Sequence, residues 1–149
     1  MTGEYTISMS LEGLEELIES LENLSKKYPD RAGELLQKNA KMLRKEVVKN
    51  VKEDTKSKGK TKKSLSKESS YAISQVQGYG EKQYVEISAK APHFHLVEHG
   101  HKLVSHSGET IGFVQGKHMM SNAVKKSEQN IPSMVEGMIA ELLKEEGLL

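Results

Sequence analysis

The sequence predicts an α+β fold with two N-terminal helices, a small, mostly antiparallel sheet and a C-terminal helix. Three observations carry this. Apolar residues recur at three- and four-residue steps from Leu11 to Val51, and again from Met119 to Leu143. Between these stretches lie β-rich runs broken by glycine. A lysine-rich stretch separates the helical half from the strands.

Tyr5, Ile7 and Met9 alternate with polar residues, the period of a short half-buried strand, and Ser10 then offers an N-cap. Leu11, Leu14, Leu17, Ile18, Leu21 and Leu24 form one apolar stripe with glutamates on the other face. This first helix is expected to end near Tyr28-Pro29, because proline breaks the hydrogen-bond ladder. Asp30 can cap a second helix, with Ala32, Leu35, Leu36, Leu43, Val47 and Val51 as its stripe, running to about Asp54. From 55 to 70 the chain carries Lys56, Lys58, Lys60, Lys62, Lys63 and Lys67 but one large apolar residue, Leu65. So little apolar surface does not offset the entropy of ordering, and a mobile basic loop is expected. Such a loop suits phosphates or an acidic partner, but it lacks the aromatics of a single-strand reader.

Tyr71–Val76 and Gln83–Ala89 read as strands of a hairpin turning through residues 77–82, with Val85, Ile87 and Ala89 on one face. After Pro92 a short histidine-rich helix presents Phe94, Leu96 and Val97 for packing. Residues 102–114 read as a second, looser hairpin or extended loop. The last stripe, Met119 to Leu143, is interrupted at Pro132, which predicts a kinked helix or two abutting ones. Its four methionines suit adaptable packing.

At 149 residues, with 36% hydrophobic and 5% aromatic content, the chain is expected to form one domain, 1–149, around a lean core. The absence of cysteine excludes disulfides and thiolate chemistry and suits a reducing cytosol. No apolar run approaches the roughly 20 residues that span a bilayer, and Met1–Ser10 lacks the regions of a signal peptide, so a soluble, cytoplasmic protein is expected. The net charge of +1 hides two fields. Residues 1–30 hold seven acidic residues against two lysines, and residues 38–68 hold eleven lysines and Arg44 against four acidic residues. The two fields can attract within a subunit or between neighbours.

All six histidines lie between His93 and His118. His95-Leu96-Val97-Glu98-His99 fits a zinc-peptidase pattern, in which two histidines one helical turn apart hold the metal and the glutamate activates water. A third ligand is required; Glu109, Glu128, Glu136, His106 and His118 are available, none at a diagnostic spacing. Gly100 also ends the helix directly after His99. The ordinary reading is histidines packed or solvated around a turn, with no metal and no cofactor. No P-loop, dinucleotide fingerprint, nucleophile elbow or solenoid repeat occurs.

The order of the pieces resembles a family. Two helices lead to a basic glycine segment, Lys58 to Leu65; two strands follow, then Phe94-His95-Leu96-Val97-Glu98-His99-Gly100, then Gly116-Lys117-His118-Met119-Met120 running to Ala123 at the start of the last helix. This is similar to the gene-product-ten-like minor tail proteins (tail-component or tail-completion proteins) of long-tailed bacteriophages and prophages, from about Leu11 to Leu143. In that family the equivalent of this element often reads Tyr-Ala-x-x-Val-Glu-Phe-Gly-Thr, with no histidine among its named positions, so this chain departs from it in having His95, His99 and His101.

The resemblance implies a non-enzymatic structural subunit. It would form a homo-oligomeric ring at the head-tail junction, contact other tail and head-connector proteins, and let DNA pass. Its location would be the host cytoplasm during assembly and then the virion tail. Phe94, Val97, Glu98, Gly100, Gly116, His118, Met119 and Ala123 would serve packing and interface roles, Glu98 capping or pairing locally and Gly100 permitting a tight turn. The lysines from Lys56 to Lys67 would face the DNA channel or an acidic neighbour. Two alternatives accompany this reading: a zinc-dependent hydrolase using His95, Glu98 and His99, and a small nucleic-acid-binding module using the lysine-rich loop.

Overall fold

A computed structural model describes residues 13–55 and 64–149, without the side chain of Glu81. Among these residues the architecture is α+β. Helix α1 spans Leu14–Thr55, strands β1 (Tyr71–Ile73) and β2 (Ile87–Ala89) pair, and the short helix α2 (Phe94–His99) follows. Strands β3 (Gly100–Val104) and β4 (Thr110–Gln115) then lead into helix α3, Met119–Glu145. The strand expected at Tyr5–Met9 and the cap at Ser10 lie outside the described residues.

The expectation of two N-terminal helices is corrected to one. α1 continues through Pro29, although proline removes one ladder hydrogen bond. Close on either side of Pro29, Lys27 donates to Glu146 and Arg31 to Glu145 at the end of α3. The partner helix thus grips both sides of the weak point. α3 likewise continues through Pro132.

α1 and α3 run antiparallel. At the opposite end from the Lys27 and Arg31 contacts, the Asn50 side chain donates to Met119 O at 3.0 Å; between lie Lys126 to Glu46 at 2.9 Å and Ser127 to Asn39 at 2.9 Å. The core gathers Val47, Val48 and Val51 of α1 with Leu65, Tyr71, Ala91, Met119 and Ala123. Each large aliphatic side chain buried there contributes about 1.5–3 kcal/mol. Val47, Val51 and Met119 are fully buried.

The strands form two separate two-stranded antiparallel ladders rather than one sheet. In the first, Tyr71 pairs with Ala89 and Ile73 with Ile87, extended by a bridge between Gln77 and Tyr84. It rests on α1, where buried Gly33 lets Val76 approach and Gln37 donates to Ser74 O at 2.8 Å. In the second, His101 pairs with Val114 and Lys102 with Phe113, with a bulge after Leu103.

Of the mobile loop expected over 55–70, residues 56–63 lie outside the described residues, and the described parts differ from the expectation. Thr55 closes α1, and residues 64–70 are packed, with Ser64, Leu65, Ser66 and Ser70 buried. The serines satisfy one another locally: Ser64 and Ser66 hydroxyls lie 2.8 Å apart and Ser70 donates to Ser64 O at 2.6 Å. Polar pairing of this kind lets the segment be buried without the penalty of unsatisfied groups.

Candidate assembly surface

A buried set of polar contacts surrounds Glu98. It is only 4% exposed. Its carboxylate accepts the backbone N–H of Met120 and of Ser121, each at 3.0 Å. These are first-turn donors of α3 that have no partner inside the helix, and an anion there also meets the positive end of the helix dipole. His118, at the N-cap in the left-handed region (φ 49°), makes no side-chain cap of its own, so the cap comes from α2. The backbone repeats the link: Lys117 N–H donates to Val97 O at 2.8 Å and His118 N–H to Glu98 O at 3.1 Å.

Two glycines make this approach possible. Gly100 has φ 83°, and a side chain there would meet Val114 O at 2.4 Å; at Gly116 it would meet Glu98 O at 2.4 Å. Beneath the clasp, the Tyr71 ring meets Phe94 edge-on at 5.9 Å. Its hydroxyl donates to Leu65 O at 2.8 Å. Burial, aided by the negative charge of Glu98, pushes the Tyr71 phenol up to about 12.

From this fixed root the β3–β4 hairpin projects outward. Strand alternation and the Lys102–Phe113 pairing put Lys102, Val104, Ile111 and Phe113 on one face. That face is bare: Ile111 is 69% exposed, Val104 and Phe113 57% each. Exposed apolar side chains clustered in this way mark a contact surface.

The family model described as "Bacteriophage HK97-gp10, putative tail-component" matches residues 15–100, more than half of the chain. The chain belongs to this family of phage tail components. No curated protein and no solved structure matches it. Within this tail-component family the chain's role is structural, among other tail proteins in the virion tail. No described helix is long and apolar enough to cross a membrane.

The structure brings Phe94, Val97, Glu98, Gly100, Gly116, His118, Met119 and Ala123 together at the clasp and the adjoining core. It does not assemble the zinc pattern. His95 and His99 are exposed, Glu98 is buried with its carboxylate engaged by α3, and the described residues hold no group of three potential ligands. Lys56, Lys58, Lys60, Lys62 and Lys63 lie outside the described residues. Lys67 is half-buried, its backbone N–H bound to Ser64 O at 3.2 Å.

Of two further surfaces, the first escaped the sequence reading and the second was legible only as lysines on the exposed side of the helix. The first is the bare hairpin face, whose signal was the apolar pair Leu103-Val104 opposite Ile111, Phe113 and Val114. The second is a line of exposed lysines along α1, at Lys38, Lys41, Lys45, Lys49 and Lys52. Their three- and four-residue spacing places them on one side of the helix.

Proposed function

We propose that this tail component is a tail-completion subunit that acts at the head-proximal end of the tail, as a ring of identical copies joining tail to head. The chain acts as a single domain in that ring, and the residues at the clasp serve packing and interface roles rather than chemistry. The observation that carries the reading is the bare apolar hairpin on a rigid root. A protein with so lean a core leaves an apolar cluster of this kind in water only where another surface covers it.

The lysine line on α1 supports a further part of the proposal, contact with DNA passing through the ring. Neutralising phosphates with five side chains gives affinity that falls steeply with salt. The lysines from Lys56 to Lys67 are proposed to add to the same field.

The test is mass by light scattering over a concentration series, together with antibody labelling of assembled tails. A closed oligomer and label at the head-proximal end are expected. Label distributed along the tube, or at the distal tip, would overturn the junction reading.

A further inference from the structure

α1 is longer than the helix packed against it. Among the described residues, the hydrogen bonds to the end of α3 that lie nearest the start of α1 are those of Lys27 and Arg31, and the first turns of α1 extend beyond them. There Leu14, Leu17, Ile18 and Leu21 form a stripe at steps of three, one and three residues, each 42–48% exposed. The stripe continues the established helix–helix interface: seven-residue steps lead from Leu21 through Tyr28 to Leu35, and from Leu24 to Arg31, both beside α3. None of the four belongs to the described core cluster. The flanks carry Glu15, Glu16, Glu19 and Glu22, with no lysine or arginine between Leu14 and Ser25.

We infer that this overhang receives the bare hairpin face of a second copy of the chain. The inference rests on the ring reading above and names the two surfaces that would make it. The hairpin face offers apolar side chains of matching kind around a cation, Lys102, to a stripe bordered by four carboxylates. Pairing of two overhangs would instead oppose four glutamates to four glutamates without a cation, a like-charge arrangement that costs affinity. Overhang and hairpin are different surfaces, so the contact is head-to-tail. Such contacts propagate, closing into a ring when the rotation allows, whereas self-pairing stops at a dimer.

The chain has no cysteine, so introduced thiols are its only ones. Ile18→Cys and Ile111→Cys, both at exposed positions, are prepared separately, mixed and oxidised at concentrations up to about 1 mM of each, where even a millimolar contact is about one third formed. Light scattering of the unaltered protein accompanies each point.

The mixed disulfide is expected as the major product, with a ladder of higher species from the double variant, and a several-fold drop in yield when Lys102→Glu is added to the hairpin partner. A self-linked Ile18→Cys product as the major species overturns the inference in favour of a two-fold contact. No mixed product from a protein that scatters as an oligomer overturns it while the ring stands, and assigns the stripe to another occupant. A monomer that gives no mixed product overturns both. Mixed product from a protein that scatters as a monomer upholds the contact and removes the stable isolated ring.

Discussion

Glu98 and Met120, twenty-two residues apart, are joined by a carboxylate that accepts a helix-terminal N–H at 3.0 Å, and a second bond to Ser121 matches it. Replacing Glu98 with alanine removes a charged cap from partly buried donors, at a cost of about 2–3 kcal/mol. Glu98→Gln keeps one acceptor and should lose about half as much. Urea midpoints at constant slope measure both. An alanine variant as stable as the parent would show that the clasp adds nothing.

Gly100→Ala and Gly116→Ala each drive a methyl group to 2.4 Å from a backbone oxygen. Backbone cannot give as a flexible side chain can, so each should destabilise by more than about 2 kcal/mol. Gly137 lies within α3, and a methyl group there would meet nothing within 4 Å. Gly137→Ala should therefore stabilise by about 0.5–1 kcal/mol. Thermal melts of the three variants should move in these opposite directions.

Tyr71 sets a pH dependence. Its phenol ionises near 10 when unfolded and near 12 when folded. Between these values the unfolded state binds fewer protons, so stability falls as pH rises from 10 towards 12 and is unaffected by this group below 10. The loss is on the order of 2 kcal/mol. Tyr71→Phe should flatten that slope and, by leaving Leu65 O without its donor, cost about 1 kcal/mol at neutral pH. Equal slopes for parent and variant would refute the assignment.

Pro29 lies within α1, fifteen residues after its first residue, Leu14. Pro29→Ala restores a ladder N–H and should stabilise by about 1–3 kcal/mol. A variant that melts lower would mean that the helix uses the proline's local geometry to meet α3.

The legible parts of the fold were those governed by local periodicity. The Met119–Leu143 stripe gave α3 its correct start, and the turn after Val76 gave the first hairpin. Pro29 misled because its cost is local, while the helix it interrupts is held along its length by α3, with contacts such as Arg31 to Glu145 more than a hundred residues apart. Residues 64–70 misled for a similar reason: serines look like loop until their hydroxyls are seen to pair with one another. The partners of Glu98 lie on the far side of the hairpin, beyond any local pattern. The bare hairpin face was written in the apolar residues at 103–104 and 111–114, but whether such a hairpin is covered by its own chain depends on where the long helices lie.

With 42 residues, α1 is about 63 Å long, well beyond the diameter of a compact body of this chain length. Mechanically it is a beam clamped over part of its span, with Lys27 and Arg31 as the outermost clamp. A beam held this way does not adapt its free end locally. Any change of angle at the clamp is magnified at Leu14, so the ion pairs with Glu145 and Glu146 set the aim of the free end, although neither touches it.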